Sequence, residues 1–433
     1  MTRCADSASS ISAKASGDFF MTKMQSICLR FLAMASALAI SSLHADERTE
    51  TIANNRSAVA RDYSVGPDLV NVPVEEIERA YEGRRKPEAI RMFLAIAKGS
   101  RMGAGEGWFG PGQSRYDWNW LAKQHKIDAR EGMTFDEFSG SSLWFARLDR
   151  NRDGRITDDD LDWSERNSWV QQAYIVNRLF RKIDPNGDGS MTREEWMKFF
   201  ETASRGKDNV TSEELRDAWL GGMSAGFLAG DAPTSELLLK GLFSVEVGSL
   251  QEGPQLNDFA PDFTLRTHDG RRTIQLSKIV GAKPIVLVFG NFTCGPFRSM
   301  YPGVEDVYRR FKEDATFLGI YVREAHPTDG WKMESNTKVG VSVAQPRNYE
   351  ERTAVAHQCH QLLKPTIPLL VDEIDDRTGN AYSGMPARLY VLDSAGRVAY
   401  KSGRGPFGFK TGEMEQALLM TLLDEKASKA GGQ

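Results

Sequence analysis

Cysteine is scarce in this sequence, four in 433 residues, too few for a disulfide framework to hold a chain of this size. Neither sign of charge dominates. The 55 Lys and Arg against 59 Asp and Glu give a formal net charge of -4, so there is no general electrostatic signature of nucleic-acid binding. The apolar stretch Phe31–Ile40, FLAMASALAI, is about half the ~20 residues a helix needs to cross a bilayer, and no membrane span is expected. What is present is ordinary: 40% hydrophobic, 26% charged and 10% aromatic residues. That composition excludes disordered and fibrous classes, and the length predicts about two to three domains.

The apolar stretch has a meaning by position. Lys23 and Arg30 precede it, small residues come after it, and Leu43-His44-Ala45 allows cleavage after Ala45. Residues 1–45 are therefore expected to be a secretory signal peptide with an over-called start, Met21 or Met24 being the true one, and the protein to be secreted or periplasmic. After cleavage only Cys294 and Cys359 remain. They form one disulfide, two free thiols or a working pair.

Residues 46–125 are expected to be helical, with apolar residues at helical spacing from Val74 to Ala97. A G-x-G-x-x-G at Gly105, Gly107 and Gly110 is preceded by no strand, so it reads as a packed loop held by Trp108 and Phe109, not as a dinucleotide site. Residues 126–226 carry two twelve-residue acidic loops. In the first, Asp149, Asn151, Asp153, Arg155 (through its carbonyl), Thr157 and Asp160 stand at positions 1, 3, 5, 7, 9 and 12. In the second those positions hold Asp184, Asn186, Asp188, Ser190, Thr192 and Glu195. A hard calcium ion wants six to eight oxygens, and the glycines at position 6, Gly154 and Gly189, allow the sharp turn. Amphipathic segments flank both loops, so residues 135–203 resemble the EF-hand family. Ile156 and Met191, at position 8, suit pairing between the two loops. Asp160 is one methylene shorter than the usual glutamate, which predicts weaker binding or a preference for magnesium. Gly132–Phe138 and Val210–Leu215 echo the loop pattern but read as helix starts, the latter with a Thr211/Glu214 capping box.

Residues 227–250 contain Leu237, Leu238, Leu239, Leu242 and Phe243, enough for one amphipathic linker helix. From 251 to 433 the pattern alternates. Short strands at 263–265 and 273–276 precede a continuous apolar strand, 284–289, as a central buried strand requires. Helix 297–312, strand 315–322, helix 350–363, strands 367–371, 388–393 and 397–401, and helix 412–423 complete a β-β-β-α-β-α-β-β-β-α order. The expected fold class is thus multi-domain: an all-α EF-hand module followed by an α/β thioredoxin-like domain. Cys294 falls just past the central strand at a helix start, where unpaired N–H groups and the helix dipole favour a thiolate. Met385-Pro386 stands before a late strand, where such folds place a cis proline. Cys359, in His357-Gln-Cys359-His360, projects with its neighbours in different directions from one helix, which suits a solvated face better than a metal site.

Three ordered motifs add a family likeness. Phe289-Gly-Asn-Phe-Thr-Cys294-Gly-Pro-Phe297 resembles the selenocysteine segment of the iodothyronine deiodinases, with Cys294 at the selenocysteine position. Ile320-Tyr-Val-Arg-Glu324-Ala-His326-Pro-Thr-Asp-Gly-Trp331 is similar to that family's next signature. Arg388-Leu-Tyr-Val with Gly403-Arg-Gly-Pro406 is similar to a third. The resemblance covers about residues 255–425. It implies a thiol oxidoreductase with Cys294 as nucleophile, His326 as proton donor or substrate holder, Glu324 supporting the histidine and Arg388 clamping substrate. It also implies a thiol reductant or redox partner protein and a small aromatic substrate, and the EF hands imply Ca2+. A general thiol–disulfide or peroxide reductase, and a non-catalytic calcium-binding interaction protein on a redoxin scaffold, are the alternative functions.

Overall fold

The structure, a computed structural model, describes residues 62–100, 111–220, 223–224, 227–228 and 233–431. The expected signal peptide and the Gly105–Gly110 motif with Trp108 and Phe109 lie outside the described residues. Two units are distinguished. The described part of the smaller is residues 62–63 and Val72–Arg84. It contains helix α1 (Val74–Ala80), on which the Tyr63 hydroxyl donates to Glu76 at 2.6 Å.

The larger unit holds everything else. Helix α2 (Glu88–Ala97) starts after Pro87. The helical periodicity predicted for 74–97 is therefore two helices, because Gly83 sits at φ +68° and a proline is tolerated only at a helix start. Strand β1 (Gln113–Ser114) and helix α3 (Trp118–His125), capped by Asp117, lead into the acidic loops. Strand β2 (Met133–Thr134) is succeeded by α4 (Ser142–Leu148), β3 (Arg155–Ile156), α5 (Asp158–Leu161), α6 (Ser168–Ile183), α7 (Arg193–Ser204) and α8 (Ser212–Leu220).

The module is not purely helical, and its loops do not pair with each other. β3 runs antiparallel to β2, placing Ile156 opposite Met133, and both side chains are fully buried. Met191, the expected partner of Ile156, is 44% exposed. The reason lies in residues 132–138, which provide a strand before their turn and so give the first loop a nearer partner. The Thr211/Glu214 capping box is present: the Thr211 N–H and hydroxyl donate to Glu214, and the Glu214 N–H donates back.

A short ladder, β4 (Met223–Ser224) with β5 (Phe227–Leu228), precedes α9 (Ser235–Phe243). The linker helix thus forms over part of its expected span. It buries Leu238 and Leu242 and sets Phe243 against Phe93 of α2, ring centroids 6.5 Å apart.

The rest is a mixed sheet with helices. β6 (Thr264–Thr267) and β7 (Thr273–Gln275) form a hairpin. β8 (Ile285–Gly290), buried at every position, leads into α10 (Gly295–Phe311), β9 (Thr316–Tyr321), α11 (Glu334–Lys338), α12 (Tyr349–Leu363), β10 (Leu369–Val371), α13 (Arg377–Ala381), β11 (Arg388–Leu392), β12 (Val398–Lys401) and α14 (Thr411–Gly431). The sheet order is β1-β12-β11-β8-β9-β10-β6-β7. β8, β9 and β10 are parallel, while β11 is antiparallel to β8. This is the thioredoxin-like arrangement expected. One strand is added: β1, from the segment before the acidic loops, pairs with β12 at the edge. The EF-hand module is anchored on α14, where Glu415 takes Arg147 at 2.6 Å and Arg310 at 2.8 Å, and Gln416 accepts from the Trp163 indole at 2.8 Å. Among the described residues no helix is long and apolar enough to cross a membrane.

Candidate active site and calcium loops

Buried β8 delivers its chain to the sheet's carboxyl end, and Asn291 fixes the turn just beyond it. Its Oδ1 accepts from the Cys294 N–H at 3.0 Å and the Ala325 N–H at 3.3 Å, and its amide donates to the Pro386 carbonyl at 2.9 Å. One side chain thereby ties the Cys294 turn to the segment after β9 and to the cis Met385–Pro386 loop. Cys294 is the N-cap of α10. Its thiol departs from expectation. At 2% exposure, burial pushes it up to about 11, and the Phe297 N–H and the Arg298 guanidinium, which pull the other way, are outweighed. Helix-start stabilisation is real but smaller than the cost of burying the charge.

Glu324 and His326 are both in the neighbourhood and are joined through Thr293. The Glu324 carboxylate accepts from the Thr293 N–H at 2.9 Å and from the Tyr321 hydroxyl. Burial holds its pKa above the usual range. The His326 N–H donates to Thr293 Oγ1 at 3.0 Å. The His326 ring stands edge-on to Trp331 at 4.7 Å, with Nδ1 3.1 Å from the Trp331 carbonyl. A carbonyl can only accept, so Nδ1 carries hydrogen and the neutral ring keeps its lone pair on Nε2.

Arg388 opens β11 opposite Phe289 and is 1% exposed. It donates to Glu88 of α2 at 2.6 Å. Arg404, from the same sequence motif, reaches the same carboxylate oxygen at 3.3 Å and also bonds the Ser249 carbonyl and the Ser383 hydroxyl. Burial alone would raise the Glu88 pKa, but the two guanidiniums win and hold it far below the usual carboxylate range. Beside them lies a polar cavity of about 160 Å³ whose lining includes Arg85, Arg91, Glu88, Glu252, Arg388 and Lys401. Burial and the nearby Arg388 push Lys401 down to about 7.

Cys294 and Cys359 are both free and buried. Burial pushes the Cys359 thiol above its ordinary range. Contrary to expectation, His357 and His360 share a face of the Cys359 helix, their rings near-parallel and 6.4 Å apart, with His268 stacked on both at 5.7 and 4.0 Å between centroids; only Cys359, which is buried, departs from them. Stacked rings do not aim their nitrogens at a common point.

The acidic loops have the expected backbone. Asp149 accepts from the N–H groups of Asp153 and Gly154, and Asp184 from those of Gly187, Asp188 and Gly189. Gly154 and Gly189 lie at φ +87° and +79°, which glycine adopts freely. The two closing residues differ. Asp160, fully buried, accepts at Oδ1 from the Arg150 and Asn151 N–H groups and at Oδ2 from the Thr157 N–H and hydroxyl. Glu195 uses Oε2 alone, on Thr192. Among the described residues no three His, Cys, Asp or Glu side chains converge on one point. An ion at either loop would therefore need the Asn, Ser and Thr oxygens and backbone carbonyls as well as the carboxylates, and Glu195 would have to leave Thr192 to close the second loop.

Sequence reasoning missed Asn291, Glu88 and Arg298. Asn291 lies inside a quoted motif, so its position was a signal. Glu88 carries none, being 300 residues from Arg388 in the chain.

Residues 234–421 match the sequence model of the iodothyronine deiodinase family, and residues 142–162 and 176–200 match the EF hand. The type II iodothyronine deiodinase of Mus musculus is 29% identical over 233 residues, 52% of this chain and 79% of that protein. The thyroxine 5-deiodinase of Sus scrofa is 35% identical over 134 residues, 31% of this chain and 42% of that protein. The pneumococcal exposed lipoprotein thioredoxin Etrx1 of Streptococcus pneumoniae is 20% identical, covers 38% of this chain and 99% of its own, and has a TM-score of 0.26. With its buried cysteine turn and the segments gathered around it, the region 234–421 is a domain of the iodothyronine deiodinase family of enzymes, and two EF hands precede it.

Proposed function

We propose that this protein is a secreted or periplasmic, calcium-binding, thiol-dependent reductase that removes a halogen from an aromatic substrate at Cys294. The observation that carries the reading is the knot around Thr293, which ties the Cys294 turn to Glu324 and to the backbone of His326. The chemistry balances. The Cys294 thiolate takes the halogen from the ring carbon with formal charge +1, and the carbon keeps the bonding pair and gains a proton from Nε2 of His326, whose ring has first taken that proton from solvent to become imidazolium. A thiol reductant then attacks Cys294 sulfur and expels halide, and a second thiol releases Cys294 as a thiol with formation of the reductant's disulfide. The ring gains two electrons and the two reductant thiols lose them. His326 suits the proton step because imidazole transfers protons near neutral pH. The cationic cavity beside Arg388 suits an anionic substituent of the substrate. Halide release with a dithiol reductant tests the reading. Release from an iodinated phenol that depends on Cys294 supports it. Turnover of peroxide or protein disulfide without halide release overturns it.

Calcium is proposed to fill both loops, the second more tightly. Asp160 already has both oxygens in hydrogen bonds to the protein, whereas Glu195 is bonded through one. Calorimetric titration of Glu195→Gln and Asp160→Asn checks the ranking: Glu195→Gln should lose more affinity. A larger loss from Asp160→Asn contradicts it. An ion that binds only the folded chain at a hundred times its Kd adds about 2.7 kcal/mol of stability, so a chelator should lower Tm.

A further inference from the structure

The second calcium loop lies against the helix that begins at Cys294. Gly189 meets α10 so closely that a Cβ there would fall 2.8 Å from the Arg298 carbonyl oxygen and 2.8 Å from the Pro302 ring, and a Cβ on Gly187 would touch Val339, just past α11, at an ordinary contact distance of 3.4 Å. The loop thus rests on the two elements that brace the cysteine turn. Arg298, 3% exposed, donates to the Phe292 carbonyl and, at 3.0 Å, to Asn336 of α11. Asn336 donates to the Thr293 carbonyl at 2.7 Å. The carboxylates of Glu324 and Asp184, the latter at the loop's first position, act on the Arg298 charge, as would a thiolate at Cys294 or Cys359. Of these groups, Arg298 favours a thiolate at Cys294 and Glu324 opposes it.

We propose that Arg298 is a positioning residue for the Cys294 thiolate and that calcium in loop 184–195 acts through it, making Cys294 more reactive. Without the ion, Asp184, Asp188 and Glu195 place three negative charges at the loop, and these offset the guanidinium's pull on the thiolate. The ion adds two positive charges, so Arg298 acts on sulfur with less opposition. The low dielectric around buried Arg298 keeps this effect from being screened. The differential contact that any coupling needs is supplied by Glu195, whose carboxylate now caps α7 through Thr192 and must turn toward the ion to close the shell. The inference rests on Cys294 being the reactive group but not on the nature of the substrate.

The test is the rate of Cys294 alkylation by iodoacetamide in the full chain, read by peptide mass spectrometry, with saturating calcium and with chelator, at a temperature where both forms are folded. Calcium should speed alkylation at least threefold and lower the apparent thiol pKa from the rate–pH profile. Asp149→Asn, in the first loop, should keep the response, and Glu195→Gln should lose it. Arg298→Met should lose it and Arg298→Lys should recover part. If calcium only tightened the fold, chelator would expose the buried thiol and speed alkylation, the opposite sign. That outcome, a change under threefold, or a response that tracks Asp149 and not Glu195 overturns the proposal. If Arg298→Met does not fold, the comparison of Glu195→Gln with Asp149→Asn decides. Failure to release halide from any aromatic leaves this result intact, so the two readings fail separately.

Discussion

Replacing Cys294 with serine should lower thiol-dependent turnover by about three orders of magnitude or more, the scale on which loss of a nucleophile acts, while leaving the melting temperature within a few degrees. Serine is nearly isosteric and the site is 2% exposed, but a hydroxyl is neither soft nor ionised near neutral pH, so it cannot take a halogen or be regenerated by a thiol. The wild-type pH dependence should be distinctive. With the thiol pushed up to about 11 by burial, the thiolate fraction, and with it the alkylation rate, should climb about tenfold per pH unit from pH 7 to 10. A thiol activated only by its helix start would level off by about pH 8.5. Equal turnover in Cys294→Ser would remove the catalytic assignment. A rate that levels off near pH 8 would show that substrate-free Cys294 is far less buried than the structure has it.

The elements carrying this chemistry were legible where the signal is local. β8 reads as a continuous apolar run because it is covered on both faces. α10 begins at Gly295, two residues before the expected Phe297, since proline is tolerated in a first helical turn. The acidic loops are legible because calcium fixes the spacing of its ligands. What could not be read depends on juxtaposition. Whether Ile156 pairs with Met191 or Met133 is decided by which strand lies nearer. Whether Cys294 is ionised depends on what covers it, so its place at a helix start, taken alone, points in the wrong direction. Gly189 sits where the loop motif requires glycine, and that requirement conceals a second reason for it, the close approach to α10; Gly187 stands at position 4, where the first loop has Arg152, and faces Val339.

Neutralising Glu88 should destabilise the protein more than any surface substitution. Arg388 and Arg404, each 1% exposed, converge on one carboxylate oxygen at 2.6 and 3.3 Å. In Glu88→Gln the shape is kept, but two buried guanidiniums lose their counter-charge. Breaking a buried ion pair from one side costs about 3–5 kcal/mol, because the remaining charge stays desolvated. The direction of the shift sets the pH dependence. Folding holds the Glu88 pKa far below its ordinary 4.5, so its contribution is fully present above that unfolded value. It is lost progressively as pH falls from there toward the folded pKa. Urea unfolding at pH 7 and pH 4 should therefore show a wild-type midpoint that drops on acidification and a Glu88→Gln midpoint that starts lower and drops less. The variant should also lose the register between α2 and β11, seen as faster amide exchange across 388–392. A loss under 1 kcal/mol at pH 7 would mean that water reaches the two arginines through the cavity beside them and solvates their charge without Glu88.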